Sequence, residues 1–429
     1  MKRAIVVGTG AGGATAAKEL QGAFDVTILE AGGDFRPFSR DLAALARLRT
    51  TGLFLDERLI RLLFPAMRVR KLRDGMVLIN GIGTGGTTTL ATGNAMPVDA
   101  DLKALGIDLD PEFRELERQI PITTDHQARW REITRRLFAI CEDMGLQPAP
   151  LPKMGDYARC IRCGRCILGC PQGVKWDSRR FLDVALERGA QLERRCAVES
   201  VVIRGGEAVG IRARQGWRTR FYPADLVVLA AGGLGTPAIL DRSGITCEPR
   251  LFVDPVLCVA AEWPGARLDR EIAMPFVVER DRYIIAPYLD YLSFFFDRRW
   301  RLDAGDIVAL MIKLADVESG SVTARGVEKE LTDADRACLG EGVAVSTQIL
   351  GRLGVPPGKA FLGTLNAGHP GGALPLTGRE DPPFHDARLP ANLYVADATL
   401  FPRSLGKPPI LTIMAMAARV ARICRETCA

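Results

Sequence analysis

Residues 4–7, Ala-Ile-Val-Val, run straight into Gly8-Thr9-Gly10-Ala11-Gly12-Gly13 and then into the helix-forming residues 14–20. A short apolar run, a glycine turn and a helix in that order leave little choice of fold. The run has to be a buried strand of a parallel sheet, and the helix a crossover to a second strand, which the pattern places at residues 25–29. Gly8 permits the sharp turn, Gly10 lets a backbone approach a pyrophosphate, and Gly13 allows helix and strand to pack closely. Ala11 and Gly12 complete the loop, and the helix N-terminus then faces the phosphates. Glu30 stands 22 residues after Gly8, at the end of the second strand. A carboxylate there accepts both hydroxyls of a ribose and argues against a 2′-phosphate ligand. The expectation is a dinucleotide site; a glycine turn without chemical role is the alternative.

A second pattern lies at Cys160, Cys163, Cys166 and Cys170, followed by Pro171. The spacing C-x2-C-x2-C-x3-C-P is the one bacterial ferredoxins use for iron–sulfur clusters. A [4Fe–4S] cluster is the expected occupant, giving four metal ligands. In two-cluster ferredoxins the fourth cysteine of such a run serves the other cluster, so Cys141 or Cys196 is a candidate replacement and a [3Fe–4S] cluster an alternative. Zinc also favours C-x2-C pairs, although usually with a longer segment between two pairs. A disulfide or a loop of free thiols completes the alternatives. Arg159, Arg162, Arg165 and Lys175 flank the run and suit an anionic cluster, an acidic partner, or plain solvated surface.

The 429 residues are 47% hydrophobic and 25% charged, with a net charge of +6. That balance fits a globular chain of two or three domains, or one discontinuous domain. The modest positive charge fits cofactor phosphates or an acidic redox partner. No basic arm or nucleic-acid motif accompanies it, so nucleic acid is not an expected partner. No apolar run reaches the ~18 residues of a membrane span. The start, Met1-Lys2-Arg3, lacks the pattern of a secretory leader. A cytoplasmic setting is therefore expected, in which eleven cysteines speak for metal or redox use rather than disulfides.

Residues 40–75 read as helical or irregular, 129–144 as a helix, and 155–175 as a loop. Ser178 reads as the N-cap of a helix to residue 188. Residues 226–230 supply a third strand of the nucleotide sheet. The runs 282–289, 292–296 and 307–314 read as an antiparallel sheet. Asp335, three residues after Thr332, marks the start of a helix to residue 353. A short strand at 393–395 and a final helix from about residue 411 close the chain.

Three further segments carry a family resemblance. Gly83-Thr84-Gly85-Gly86-Thr87-Thr88-Thr89, with Asn94 after it, resembles the second flavin-binding stretch of the glucose–methanol–choline (GMC) oxidoreductases. Val228-Leu229-Ala230-Ala231-Gly232-Gly233-Leu234-Gly235-Thr236-Pro237, then Ser243-Gly244, resembles that family's third signature. Asn392-Leu393-Tyr394-Val395-Ala396-Asp397-Ala398 with Pro402, then Thr412-Ile413, resembles its C-terminal flavin-contacting stretch. His369-Pro370-Gly371-Gly372 is most similar to the cholesterol-oxidase and long-chain-alcohol-oxidase side of the family.

The resemblance implies an α/β fold: an FAD-binding Rossmann-like domain of GMC type from residues 1–250 and 361–429, and an antiparallel-sheet substrate domain from 251–360. The cysteine segment would be an insertion at 150–180. It implies bound FAD, with the adenine near Glu30 and Val198 and the pyrophosphate on Gly10–Gly13. The ring would lie near Gly85, Gly86, Thr87 and His369, and Asp397 beside the ribityl chain. His369 would be the catalytic base that takes a substrate hydroxyl proton, a task suited to an imidazole. The chain departs from the family at Gly406-Lys407-Pro408-Pro409, where Pro408 replaces the usual second polar residue. Lys407 or Arg403 is the candidate substitute. The expected function is an FAD-dependent dehydrogenase that oxidises a CH–OH group of a small molecule and passes electrons through the cluster to a protein acceptor or partner subunit. The alternatives are an alcohol oxidase with a structural cysteine loop and a reductive or electron-relay subunit of a larger complex.

Overall fold

The computed structural model describes residues 1–38 and 64–429. Most of the segment expected to be helical or irregular, residues 40–75, lies outside the described residues; its end is instead a strand, Met67–Lys71. The first strand, β1 (Lys2–Val7), is followed by helix α1 (Ala11–Leu20) and strand β2 (Phe24–Glu30). These open a five-stranded parallel sheet in the order Leu393–Val395, Leu226–Leu229, β1, β2, Gln191–Arg194. Its strands Leu393–Val395 and Leu226–Leu229, and β1 from Ala4, are buried throughout, which is why they read as unbroken apolar runs rather than alternating ones. The C-terminal helix Ile410–Thr427 packs on α1 beneath this sheet. A three-stranded antiparallel sheet, Cys196–Arg204, Glu207–Gln215 and Arg218–Pro223, stands beside it.

The second large sheet is mainly antiparallel. Pro255–Glu262, Ile307–Leu314, Tyr283–Pro287 and Phe276–Glu279 form its centre. Strands Met67–Lys71 and Val77–Gly81 join it through Asn366–Ala367, so distant parts of the chain meet at one edge. The helix Asp333–Leu353 covers the sheet, and Thr332 and Asp335 form its capping box as the spacing predicts. Residues 292–296 were expected as a strand and are a short helix, Tyr291–Phe296. An apolar run this short fits either state; the Asp290 side chain decides it by accepting a bond from the Leu292 N–H at 3.0 Å.

Ser178 precedes the helix Arg179–Glu187 as expected, yet its side chain does not cap it. Its Oγ lies 3.0 Å from both the Thr9 and the Gly85 carbonyl oxygens, and its N–H donates to Thr88 Oγ1 at 3.0 Å. One buried serine thus ties the first glycine loop to the second and sets the chain after the cysteine run beside both.

Candidate functional site

The glycine loop opens on a cavity of about 820 Å³. Gly8, Gly10, Ala11, Gly12, Glu30, Gly86, Thr87, Val198, Ala231, Gly232 and Asp397 all line it, so segments spread over the whole chain converge there. Gly13 does not line it: a Cβ there would lie 2.0 Å from the Gly8 carbonyl oxygen, so its task is close packing of α1 on the loop. A Cβ at Gly10, by contrast, would meet no protein atom within 4 Å. The room left there belongs to the cavity. Gly10 also starts α1 without a side-chain cap, leaving first-turn N–H groups for a phosphate. Shape and donors fit an extended dinucleotide such as FAD.

The acids of this cavity are already bonded within the protein. Glu30 accepts from Thr9 Oγ1 at 2.6 Å, Thr9 N at 3.2 Å, Gly32 N at 2.8 Å and Gly83 N at 3.0 Å. Those donors occupy the roughly four acceptor sites of a carboxylate, so Glu30 braces the two glycine segments, and a ribose would have to displace one donor. Burial pushes its carboxyl up, against the pull of these bonds. Asp397 accepts from Gly232 N and Thr399 N, at 2.8 and 2.9 Å, and from Thr236 Oγ1. It fixes the start of the helix Gly232–Arg242 at the cavity wall. Gly85 donates to Thr9 Oγ1 at 3.1 Å, and Thr412 accepts from Val98 N at 3.0 Å; neither lines the cavity.

A second cavity, of about 190 Å³ and mostly apolar, adjoins the first. Thr87, Ala91, Gly368, His369, Pro409 and Ile410 line both. Phe295, Phe296, Leu292 and Met311 form apolar wall, and Asn94 lies here rather than in the larger cavity. Pro408 lines it too, but Lys407 does not: its ammonium pairs with Glu279. The cation beside Pro408 is Lys313, whose Nζ donates to the Lys407 carbonyl at 2.9 Å and to Asp254 Oδ2. Asp254 also accepts from Ser404 Oγ at 2.6 Å, and its Oδ2 lies 3.7 Å from His369 Nδ1. Burial raises the Asp254 carboxyl, but the Lys313 ammonium and His369 outweigh it and hold it down at about 2. Burial, then the Lys313 ammonium, lower the His369 imidazole against the pull of Asp254, so the ring is held neutral. Next to this group, Asp316 pairs with Lys329 at 2.7 Å.

Asp254, Lys313 and Asp290 are the site residues that motif reasoning passed over. Lys313 had one visible signal, a lone cation in the wholly buried run Ile307–Leu314. Asp290 lines the smaller cavity, and burial pushes its carboxyl up to about 6. The other two histidines are structural. His126 is held by the Leu151 carbonyl at 2.9 Å and by Trp130 Nε1 at 3.1 Å, and His385 Nε2 lies 3.0 Å from the Pro390 carbonyl oxygen.

Cys160, Cys163, Cys166 and Cys170 line one narrow cavity of about 20 Å³. As positioned, they are not a metal-binding group: among the described residues, no three or more His, Cys, Asp or Glu side chains are arranged to hold a metal ion. The expected four-ligand set is therefore present as neighbours but not as a formed coordination site. Burial raises the Cys166 thiol to about 11. Ile167 and Leu168 of this segment line the apolar cavity. No helix among the described residues is long and apolar enough to cross a membrane.

Comparison with known proteins places this geometry. The profile of the GMC oxidoreductases matches residues 101–258. A protein of Methanocaldococcus jannaschii described as uncharacterized is 25% identical over 97% of this chain and 98% of its own. An uncharacterized GMC-type oxidoreductase of Mycobacterium tuberculosis is 31% identical over 58% of this chain, which spans 40% of that relative's length. The long-chain-alcohol oxidase of Arabidopsis thaliana is 24% identical over 62% of this chain and 38% of its own. Among solved structures, pyridoxine 4-oxidase from Mesorbium loti shares the fold, with a TM-score of 0.73 over 99% of both chains at 16% identity. The profile match and the relatives that bear the family's name make this chain similar to GMC oxidoreductases over part of its length, and they support an FAD-dependent oxidoreductase.

Proposed function

We propose that this protein oxidises the hydroxyl group of a small, largely apolar alcohol. The observation that carries the reading is that His369 lines both the dinucleotide cavity and the apolar cavity beside it. Bound FAD would supply the acceptor for the carbon-bound hydrogen of the substrate. The chain itself binds, orients and handles the proton. Gly10, Ala11 and Gly12 would cradle the pyrophosphate, Val198 would border the adenine end, and Thr87 and Gly86 would border the ring. Phe295, Phe296 and Met311 hold the apolar part of the substrate and exclude water. The neutral His369 ring accepts the hydroxyl proton as general base. Asp254, whose Oδ2 lies 3.7 Å from the ring Nδ1, stabilises its protonated form, while Lys313 pairs with Asp254 and lines the apolar cavity beside Pro408. The division into a nucleotide part, 1–250 and 361–429, and a substrate part, 251–360, belongs to this reading. The plant long-chain-alcohol oxidase among the relatives supports an apolar alcohol as the substrate class.

A second element concerns the electron exit. The four cysteines share one narrow cavity, and the C-x2-C-x2-C-x3-C-P spacing is what supports a [4Fe–4S] cluster that passes electrons to a protein acceptor. Its rival is an oxidase with a structural cysteine loop.

The test is anaerobic purification with a visible spectrum and iron quantification, followed by mixing with a panel of aliphatic and aromatic alcohols. Flavin bleaching by one alcohol class, with turnover faster on a one-electron dye than on oxygen, is expected. A flavin that no alcohol bleaches would overturn the alcohol reading; equal turnover on oxygen and dye would overturn the cluster exit.

A further inference from the structure

A carboxylate without a cation stands in the wall of the apolar cavity. Asp290 is 3% exposed and lines that cavity together with Tyr288, Tyr291 and Phe295. It follows the strand Tyr283–Pro287 and precedes the short helix Tyr291–Phe296. Its Oδ1 accepts from Leu292 N–H at 3.0 Å and its Oδ2 from Ser293 Oγ. The Ser293 hydroxyl itself accepts from Thr364 N–H at 2.8 Å, which leaves its proton for Asp290. These donors are neutral, and they leave part of the roughly four acceptor sites of a carboxylate open. Among the described residues Asp290 forms no ion pair. The charged group that acts on it, Asp297, is a second acid and is already paired with Arg299. Other polar side chains of the cavity are engaged within the protein: Asn94 with Lys153, and Lys313 with Asp254.

Asp290 and His369 enter this cavity from two ends of one strand. Tyr288 N–H, two residues before Asp290, donates to the Ala309 carbonyl at 3.1 Å. Lys313, which pairs with Asp254 beside His369, stands opposite Ile284 instead. Ala309 and Lys313 are both in the strand Ile307–Leu314, ~13 Å apart at about 3.3 Å per residue. A substrate whose hydroxyl meets His369 therefore has its far end near Asp290. An ionised carboxylate buried without a cation is costly, and a ligand that brings a positive charge and N–H donors removes that cost. Burial pushes the Asp290 carboxyl up only to about 6, so it is ionised above that pH and ready for such a ligand. The aromatic rings of Tyr288, Tyr291 and Phe295 in the same wall also suit a cation, which is attracted to aromatic faces.

We propose that Asp290 is a specificity-determining residue that binds a protonated amine at the end of the substrate remote from its reacting hydroxyl. The inference rests on the alcohol reading above and narrows its substrate class to amino alcohols with an apolar middle. The apolar wall of Leu292, Phe296 and Met311 holds that middle, and the two polar ends of the cavity fix the direction in which the molecule lies. Holding the amine at Asp290 sets the distance at which the hydroxyl arrives at His369.

The experiment uses the full-length FAD-bound protein and pairs of probes of matched shape: aminohexanol against heptanol, and para-aminomethylbenzyl alcohol against para-ethylbenzyl alcohol. Binding is measured by isothermal titration at about pH 8, where amine and carboxyl are both charged, after the flavin has been reduced with dithionite so that no turnover occurs. Bleaching of the oxidised flavin by the same four alcohols is followed separately. In at least one pair the amine should bind at least about tenfold tighter than its neutral counterpart. Asp290→Asn keeps an oxygen for the Leu292 N–H, since Asn caps a helix as well as Asp does, and should bring the ratio within each pair close to one. A purely structural role for Asp290 would weaken both members of a pair alike and leave the ratio unchanged, which would overturn the proposal. Equal binding within both pairs in the parent protein would overturn it without recourse to any variant, while bleaching by the neutral alcohols would leave the alcohol reading standing. Tighter amine binding that is lost in Asp290→Asn, with no bleaching by any of the four, would support the amine site and overturn the alcohol reading.

Discussion

Asp254 Oδ2 lies 3.7 Å from His369 Nδ1, and the Lys313 ammonium holds that same oxygen. The imidazole therefore sits between opposing influences: a carboxylate that favours its protonated form and an ammonium that disfavours it. Burial adds to the ammonium's effect. A base kept neutral in this way works at a pH where a free histidine would be partly charged.

Removing either partner should move the pH profile in opposite directions. A base acts in its neutral form, so activity falls as pH drops through its pKa. Asp254→Asn should shift the acidic limb of kcat/KM to lower pH, and Lys313→Met should shift it to higher pH. With only three histidines in the chain, NMR titration of ring nitrogens reads the same shifts without any substrate. Shifts of the same sign in both variants would mean that the two residues act only on packing.

His369→Ala should lose ~10²–10⁴-fold in the rate of flavin bleaching by an alcohol, the usual range for a general base. FAD should remain bound, because the glycine loop that cradles it is untouched. Unchanged bleaching with flavin retained would take the imidazole out of the mechanism.

Two glycines three positions apart should fail in different ways. Gly10→Ala places a Cβ in the cavity with no protein atom within 4 Å. It should leave the unfolding transition of the FAD-free protein in place and weaken FAD binding by at least ~tenfold, about 1.4 kcal/mol. Gly13→Ala drives a Cβ to 2.0 Å from the Gly8 carbonyl oxygen. It should lower the Tm with or without FAD, by about 1–3 kcal/mol or more of overpacking. Isothermal titration and thermal melts on both variants separate the two effects.

Acid should weaken the fold through His126. Burial lowers its imidazole from 6.5 to about 4. Below pH 6.5 the unfolded chain takes up a proton that the folded chain refuses until about pH 4. Stability therefore falls as pH drops through that window, by up to about 1.4 kcal/mol per pH unit, and is unaffected by this group above it. Urea midpoints between pH 7 and pH 4, at roughly half-unit steps, should show this slope. His126→Phe should flatten it by one proton, and an unaltered slope would assign the acid sensitivity to other groups.

The local sequence determined the parts of this protein in which neighbours along the chain do the physical work. Gly8 to Gly13 between an apolar run and a helix, Glu30 closing the next strand, and the Thr332–Asp335 cap all fold as their spacing implies, because each is settled within one turn or one crossover. The four cysteines were equally legible as a group. The tertiary structure alone decided what surrounds them. It brought Lys175 to the cysteine cavity, carried Lys313 and Asp254 to His369, and turned Ser178 from an expected helix cap into a tie between two glycine loops. Sheet pairing joins residues far apart in the chain, and a buried charge leaves no periodic mark of the partner it will meet. The reason His369 is held neutral therefore appears only in the folded molecule.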